Sequence, residues 1–461
     1  MRAEYARDDA PADGMILGTG KIDGRPVVVI AQDFSVYGGS SGHLGSTKLD
    51  RAATIALQAG IPLIMLLDGG GHRIQDGQSS RHYASGAGII MQELAHLSGW
   101  APIVGAILGF GFAGNTNFTA FADHLVMVRK RAVMGIAGPG LVKVATGETI
   151  SAETLGGADV QVDQNGLADV GVESEEAAFE SIRKFLSYLP SNAAGPPPVV
   201  VPARTQTEVE RAQALLDIVP ANTRRSYDVR RVIELIADEG SVYEKKPTFA
   251  RNIVTSFARL DGRPVGFIAN QSLVAGGMLD APACEKGANF IAICDAFGLP
   301  IIYLIDVPGV AVGSAAEKTT LGRRSAKLVH EIGQSTVPRV SVVLRKGYGM
   351  GYVAMGGGRS FEPDATFAWP TAEVCAMSID GAVDVAYRKD YEGAPDPVAR
   401  RKEIIDDMRS RVSAVQAVEG FGIDDLIDPR TTRARLIEAL ARAPARRVTR
   451  RPPKFRSIAP I

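Results

Sequence analysis

Cysteine and histidine, the residues that build disulfide frameworks and most structural metal sites, are both scarce in this chain. Its 461 residues include 3 Cys and 6 His. Cys284, Cys294 and Cys375 lie too far apart in the sequence for a zinc motif or a plausible disulfide framework. The histidines show no ligand spacing either. We therefore expect no metal centre, and the cysteine usage suits a reducing compartment such as the cytoplasm.

An excess of charge and a long apolar run are also missing. Lys and Arg total 51, as do Asp and Glu, so nothing indicates a nucleic-acid partner. No run reaches the roughly 18 apolar residues of a membrane span, and the charged start at 1–9 is unlike a signal peptide. The chain is 46% hydrophobic and contains 50 Gly, which is typical of a globular α/β protein.

One pattern occurs twice in the chain. Asp23-Gly24-Arg25-Pro26-Val27 recurs as Asp261-Gly262-Arg263-Pro264-Val265, an offset of 238 residues (261 − 23). The same offset relates further pairs: Gln32 and Asn270, Gly38-Gly39 and Gly276-Gly277, Lys48 and Lys286, Pro62 and Pro300, and Asp68 and Asp306. Such self-similarity predicts two homologous domains.

Buried strands alternate with helical segments in both copies. This alternation predicts α/β domains with mostly parallel sheets and crossover helices. A Pro-rich stretch, Gly195-Pro196-Pro197-Pro198, separates the copies. We predict an N-terminal domain at 1–195, a linker at 196–225 and a C-terminal domain at 226–461.

Four helices are predicted in the first copy from apolar spacing and capping residues. They cover about 47–59, 86–97, 118–125 and 174–189. Ser174 is the expected N-cap of the last one, since two glutamates follow it directly.

A glycine-rich turn follows a buried strand in each copy. One turn lies in 345–355, after the strand at 338–344, and the other lies in 109–115, after the strand at 103–108. Backbone N–H groups beside glycine can approach a ligand closely and hold a negative oxygen. A turn that merely packs tightly is the alternative for either stretch alone. Two related turns on two related domains favour a pair of backbone hydrogen-bonding pockets.

Other motifs are weaker. Gly109–Gly114 matches G-x-G-x-x-G, but it follows several earlier strands, which disfavours a dinucleotide site. Gly38–Gly42 matches the G-x-S-x-G nucleophile motif, whereas the corresponding turn at Val274–Met278 has no serine. Asp68 and Asp306 end their strands, where turn bonding or helix capping is favoured over a role as general base.

At this point the residues match a family. From about Asp13 onwards the chain resembles the carboxyltransferase β subunits of biotin-dependent acyl-CoA carboxylases, of the propionyl-CoA carboxylase type. The motifs that carry the resemblance are Asp23-Gly24-Arg25-Pro26, Gln32-Asp33-Phe34, Arg73-Ile74-Gln75-Asp76-Gly77, Gly138-Pro139, Val142-Lys143, Thr146-Gly147-Glu148, Leu155-Gly156-Gly157-Ala158, Asp306-Val307-Pro308-Gly309 and Ala368-Trp369-Pro370-Thr371-Ala372. The resemblance implies two crotonase-like (ClpP/crotonase) domains in a divergent, N-terminally short member.

The implied reaction moves CO₂ from carboxybiotin to the α-carbon of an acyl-CoA through a thioester enolate. Such enzymes need neither a side-chain base nor a metal. The chain has no Ala-Met-Lys-Met biotin-attachment motif, so a biotin carboxylase/biotin carrier subunit is the expected partner. The resemblance further implies a homo-oligomer, either a dimer or a hexamer.

The resemblance also implies the site residues. The backbone at Gly114 and Asn115 would hold the enolate, and that at Met350 and Gly351 the biotin oxygen. The implied substrate-binding residues are Gly70, Gly71, His72, Arg73, Gly138, Pro139, Tyr352 and Val353. An apolar Val353 suits a plain acyl chain.

Two residues depart from the family pattern. Members usually have Gly-Gly where Gly114-Asn115 stands and Gly-Ala where Met350-Gly351 stands. We therefore expect the side chains of Asn115 and Met350 to enter the site, with Asn115 as an additional hydrogen-bond donor. Two alternatives remain. One is a related CoA-thioester decarboxylase or an unusual acyl-CoA carboxylase of a biosynthetic pathway. The other is a catalytically silent structural subunit.

Overall fold

Two α/β units are built from the alternating strands and helices of this chain. The computed structural model describes residues 10–78, 80–84, 89–202 and 208–447. The first unit extends to Pro198 and includes Lys246–Phe249, and the second comprises Val199–Lys245 and the chain from Ala250 onwards. Each unit contains one of the two sequence copies.

The first unit has one main sheet in which every strand pair after the initial hairpin is parallel. Its strands are β1 (Met15–Ile22), β2 (Arg25–Gln32), β3 (Leu63–Leu67), β4 (Ile103–Ile107), β5 (Phe110–Phe112), β6 (His124–Val128), β7 (Val133–Gly135) and β8 (Val170–Val172). The order is β1-β2-β3-β4-β6-β8, with β5 and β7 as a separate parallel pair. Its helices are α1 (His43–Ala59), α2 (Ile74–Gly77), α3 (Ser80–Tyr83), α4 (Ile89–Leu97), α5 (Gly114–Thr119), α6 (Pro139–Thr146), α7 (Ala152–Gly156) and α8 (Glu175–Tyr188).

The second unit repeats this plan and extends it. Its strands are β9 (Tyr243–Lys245), β10 (Ile253–Leu260), β11 (Arg263–Asn270), β12 (Ile301–Val307), β13 (Arg339–Tyr348), β14 (Ala365–Ala368), β15 (Glu373–Cys375) and β16 (Asp425–Leu426). The order is β16-β14-β13-β12-β11-β10-β9, with β15 also paired to β13. Its helices are α9 (Glu208–Ile218), α10 (Val229–Ile236), α11 (Ala281–Ala296), α12 (Ser314–Glu317), α13 (Leu321–Gln334), α14 (Gly349–Ala354), α15 (Ile379–Ala386), α16 (Arg388–Glu392), α17 (Pro397–Ser410), α18 (Ala414–Glu419) and α19 (Thr432–Arg442).

The repeat extends to individual hydrogen bonds. Lys48 on α1 donates from Nζ to the carbonyl oxygen of Met15, 2.6 Å away. Lys286 on α11 donates to the carbonyl oxygen of Ile253 at 2.8 Å. Both the lysines and their acceptors are separated by the offset found in the sequence. The two units are therefore copies of one domain, because matched donors meet matched acceptors.

The helices of the first unit agree only in part with those predicted from the sequence. Ser174 is confirmed as an N-cap, since its side chain accepts a hydrogen bond from the N–H of Ala177. The helix predicted at 118–125 is wrong: α5 ends at Thr119, and the fully buried run His124–Val128 forms β6. The first part of the helix predicted at 86–97 lies outside the described residues, and α4 covers the rest.

The predicted linker at 196–225 also needs correction. Part of it forms α9, whose Leu215 is buried in the hydrophobic core of the second unit. Val219, just after this helix, joins the same core. Apolar residues at helical spacing stabilise this segment as part of the unit, which a reading based on proline and glycine alone overlooks.

Candidate active site

The turn after β3 lies against the start of α5. Gly71 in this turn has φ +85°, and a Cβ built there would lie 3.0 Å from Cβ of Ala113. The same position is 3.6 Å from the backbone nitrogen of Gly114. A side chain at residue 71 would thus be both strained and crowded, so glycine allows the close approach of the two segments.

The start of α5 is held by β7. The N–H of Ala113 donates to the carbonyl of Gly135 at 2.8 Å, and Thr116 Oγ1 accepts from the N–H of Gly135 at 2.8 Å. Gly114 and Asn115 open the helix, so their N–H groups have no acceptor within it. The backbone donors predicted for the first copy therefore lie in a firmly anchored turn.

The side chain of Asn115 does not enter the site, contrary to our expectation. It is 1% exposed. Its Nδ2 donates to Oε1 of Gln32 at 2.8 Å and to the carbonyl of Gly69 at 2.9 Å. Gln32 Nε2 donates back to Asn115 Oδ1 at 3.2 Å. Asn115 thus ties α5 to the ends of β2 and β3, because its amide finds both of its partners there.

The remaining residues predicted in the turn after β3 have different surroundings. Gly70 is exposed, and His72 makes an edge contact with the ring of Tyr83. Arg73 is buried: Nη2 lies 2.7 Å from Asp13 and Nη1 lies 3.1 Å from Asp76. Arg73 therefore uses its charge to fasten this turn within the unit.

Gly138 and Pro139 open α6. Gly138 is the N-cap residue and Pro139 occupies the first helical position, where its missing N–H costs nothing. A Cβ at Gly138 would lie 3.6 Å from the ring of Phe112, the residue before Ala113. The structure thus brings the predicted residues Gly71, Gly114 and Gly138 around one short segment.

In the second unit, the turn after β12 meets the start of α14. A Cβ at Gly351 would lie 2.9 Å from Cα of Gly309, the counterpart of Gly71. Met350 and Gly351 are in the first turn of α14, so their N–H groups also have no acceptor within the helix. Met350 is 50% exposed.

The Tyr352 ring packs on glycines. A Cβ at Gly347 would lie 2.8 Å from this ring, and one at Gly358 would lie 3.4 Å away. Burial raises the pKa of Tyr352 to about 12, partly opposed by a backbone hydrogen bond at Gly358, so the phenol stays neutral. Tyr352 and Val353 are both partly buried.

The two aspartates bond the backbone, as a structural role predicts, but their partners lie in strands β5 and β13 and not in turns or at helix starts. Asp68 Oδ1 accepts from the N–H of Phe110 at 2.9 Å, and Asp306 Oδ1 accepts from the N–H of Lys346 at 3.1 Å. Asp306 also forms an ion pair with Arg345, which we did not predict. An arginine inside an apolar strand was the available signal.

The competing motifs gain no support. The short strand β5 interrupts Gly109–Gly114, so a strand-turn-helix phosphate loop does not form there. Ser40 Oγ donates to the carbonyl of Tyr37. Among the described residues, no group of His, Cys, Asp and Glu is arranged to hold a metal. In the same part of the chain, no helix has the length and apolarity needed to cross a membrane.

Fold and site together define a duplicated α/β protein in which glycine turns present backbone N–H groups beside the ends of parallel strands. The chain belongs to the carboxyl transferase domain family, which it matches over residues 1–458.

Relatives of the chain include both carboxylase and decarboxylase subunits. It is 41% identical to the propionyl-CoA carboxylase carboxyltransferase subunit of Haloferax mediterranei, over 93% of this chain and 82% of that protein. It is 36% identical to the methylmalonyl-CoA decarboxylase subunit alpha of Veillonella parvula, over 98% and 86% respectively.

Among solved structures, a transcarboxylase 12S hexamer with methylmalonyl-CoA and methylmalonic acid bound is similar. It is 38% identical and has a TM-score of 0.91, covering 97% of this chain and 85% of that one. This similarity shows the fold to be that of the crotonase-like carboxyltransferases, as predicted.

Proposed function

We propose that this chain is the carboxyltransferase component of a biotin-dependent acyl-CoA carboxylase. The observation that carries the proposal is the family match, which spans both units from residue 1 to residue 458. The chemistry is transfer of a carboxyl group to the α-carbon of an acyl-CoA. A C–H bond at that carbon is replaced by a C–C bond, and the N–C bond of carboxybiotin is broken.

Each of the two turns has its own proposed role in this reaction. Biotin carried by a partner protein would supply the CO₂ from its carboxylated form and would then take up the α-proton at the nitrogen that the carboxyl group leaves. The N–H groups of Gly114 and Asn115 stabilise the thioester enolate oxygen, because preorganised donors favour developing negative charge. Gly71, in contact with Ala113, closes one side of this turn.

The turn at Met350 and Gly351 suits a ureido oxygen. Its donors are backbone N–H groups, which can hold a neutral or anionic oxygen without a metal. Val353 gives the acyl chain an apolar neighbour. His72, Gly138 and Pro139 are the further residues proposed to bind the acyl-CoA. Arg73 holds the turn after β3 in place through its ion pairs with Asp13 and Asp76.

The wider setting of this reaction is also part of the proposal. The partner carries the biotin and the biotin carboxylase, and the chain forms a homo-oligomer, as the hexameric 12S relative does. The three thiols, none in a disulfide, suit the cytoplasm. Light scattering of the purified chain tests the homo-oligomer, and subcellular fractionation tests the location.

The test is carboxyl transfer by the purified chain. A carboxylated biotin carrier is mixed with short, branched and long acyl-CoAs, and the carboxylated products are measured. We expect product from at least one chain length. A chain that binds CoA thioesters but yields no product with any of them contradicts the proposal and supports the structural-subunit alternative.

Decarboxylation is the second candidate function, because decarboxylase alpha subunits are among the relatives. The two functions differ in direction. A decarboxylase subunit would transfer the carboxyl group from methylmalonyl-CoA to biotin faster than from carboxybiotin to propionyl-CoA. Measuring both rates with the same preparation therefore separates them.

A further inference from the structure

A buried ion pair lies at the carboxyl ends of β12 and β13. Asp306 and Arg345 are both 0% exposed. Arg345 Nη2 lies 2.9 Å from Asp306 Oδ2, and Nε lies 3.4 Å from Oδ1. A fully buried pair is costly to desolvate and is retained only with well-made bonds on both partners. The additional bonds of this pair indicate what it holds.

The aspartate holds the backbone at the end of β13. Besides Arg345, its Oδ1 accepts the N–H of Lys346 at 3.1 Å, and Lys346 Nζ is 3.5 Å from the same oxygen. The carboxylate thus fixes both the backbone and the side chain of the residue four positions before Met350. Charge-assisted bonds of this kind are stronger than neutral ones.

The arginine holds a loop. Its Nη1 donates to the carbonyl oxygens of Asn222 at 3.1 Å and Arg225 at 2.6 Å. The guanidinium also lies over the ring of Tyr227, 5.1 Å from its centre. One buried pair therefore joins β12, β13 and the 220–225 loop.

The two segments that leave this pair meet again at Gly351. Asp306 is followed by Val307 and Gly309, whose atoms would lie 2.9 Å from a Cβ at Gly351. Arg345 is followed by the end of β13 and then by α14. Tyr348, the last residue of β13, donates from its hydroxyl to Glu373 at 2.6 Å. The pair thus sits at the common base of both segments.

We propose that Asp306 is a positioning residue, which through Arg345 and the Lys346 amide sets the orientation of the Met350 and Gly351 N–H groups. The inference rests on the proposed function, since it assigns those groups to the biotin side. Asp306 does not touch the reacting atoms. It acts through the backbone it holds.

Two variants separate positioning from stability. Asp306→Asn leaves the Arg345 charge buried without its partner, and it destabilises the unit. The double variant Asp306→Asn/Arg345→Met removes the charge as well, so much of the stability returns. The loop carbonyls still lack the donor that Arg345 provided. The Lys346 N–H now meets a neutral amide in place of the carboxylate, so this bond is weaker. Asp428→Asn, which breaks an exposed pair with Arg430, is the matched control.

The experiment combines hydrogen exchange with kinetics on the full-length chain. Amide exchange is followed in peptides covering 345–355, and transfer from methylmalonyl-CoA to free biotin is measured. In the double variant we expect faster exchange in these peptides. We also expect kcat/KM for biotin to fall by up to about 100-fold, the effect of misplacing a reacting group by about 1 Å. KM for methylmalonyl-CoA and the exchange of 109–119 should stay at wild-type values.

The outcomes distinguish the two proposals. A folded double variant with wild-type exchange in 345–355 and wild-type kcat/KM for biotin overturns the positioning role. An equal loss for both substrates also overturns it, because the effect is then general. A wild-type chain without transfer in either direction contradicts the proposed function instead, and the exchange result still tests whether Asp306 holds the turn.

Discussion

The two units anchor the same turn by different means. In the first unit a neutral amide pair does so: Gln32 at the end of β2 reaches Asn115 on α5. In the second unit the counterpart of Gln32 is Asn270, which is one methylene shorter and bonds the N–H of Asp306 and the carbonyl of Gly277. The buried pair of Asp306 and Arg345 then braces the segment that leads into α14.

The aspartates reflect this difference. The Asp68 side chain is 16% exposed, and Arg131, an exposed residue, is 3.7 Å from it. Asp306 is fully buried with its arginine. The copied turns thus differ in their support: the first uses a neutral amide pair beside a partly exposed aspartate, and the second uses a fully buried ion pair. The second residue of each helix differs too, since Asn115 in α5 is buried and Met350 in α14 is half exposed.

The largest effect should come from filling the close contacts in both turns. Gly351→Val exceeds the alanine that is usual at this position in the family and adds branched carbons where a Cβ already lies 2.9 Å from the Gly309 backbone, and Gly71→Ala adds a side chain at φ +85°. We expect each to lower carboxyl transfer by roughly 10²- to 10³-fold, as for loss of an oxyanion donor. Gly351→Val should act on biotin kinetics and Gly71→Ala on acyl-CoA kinetics.

The control for this pair is Gly322→Ala, in α13, where a Cβ meets no atom within 4 Å. It should keep wild-type transfer. Steady-state kinetics with each substrate varied in turn provides the measurement. If either site variant retained more than a tenth of wild-type kcat/KM for its own substrate, the turns would not work as close-fitting donors.

The next effect concerns the amide pair. Asn115→Ala leaves Gln32 and the Gly69 carbonyl without their partner in a buried site, so we expect a loss of about 2 kcal/mol in the free energy of unfolding. Gln32→Ala should cost a similar amount, and the double variant less than the sum of the two. Urea unfolding measures all three. Strict additivity would show that the pair is not an energetic unit.

The corresponding change in the second unit should be mild in stability. Met350 is half exposed, so Met350→Ala should alter the free energy of unfolding by less than about 0.5 kcal/mol. Its side chain stands beside the proposed donors. We therefore expect KM for free biotin to fall by less than about tenfold, which corresponds to about 1.4 kcal/mol, with KM for acyl-CoA unchanged. An unchanged KM for biotin would mean that this side chain does not restrict access of biotin to the donors.

Much of this comparison was accessible from the sequence. The matched pairs at a fixed offset predicted the duplication, and the glycine-rich stretches predicted the segments in which α5 and α14 begin. The direction of the Asn115 side chain was not predictable, because its partners, Gln32 and Gly69, lie on other strands. Arg345 was overlooked for a similar reason: a charge in an apolar strand has meaning only once its partners are known.

Boundaries were the least predictable feature. Helix 118–125 was placed where a six-residue helix ends and β6 begins, since the apolar run His124–Val128 fits either structure until its neighbours are known. The helix α9 was missed for a different reason, since the linker was predicted from proline and glycine and the apolar spacing within 208–218 was not used. Only in the first case does tertiary packing decide between structures that the local sequence permits.

The smallest effect tests a charge that distinguishes the cores of the units. Asp50 on α1 corresponds to the buried Ala288 on α11. Burial raises the pKa of Asp50 to about 6, with Glu93 adding to the shift and a backbone hydrogen bond from Ile90 opposing it. Because the folded chain binds this proton more tightly than the unfolded chain, the contribution to stability is fully present below pH 4 and is lost as pH rises through 6. Asp50→Asn should therefore raise the melting temperature at pH 7 but not near pH 4. A constant difference between wild type and variant across this range would show that Asp50 does not titrate with a raised pKa.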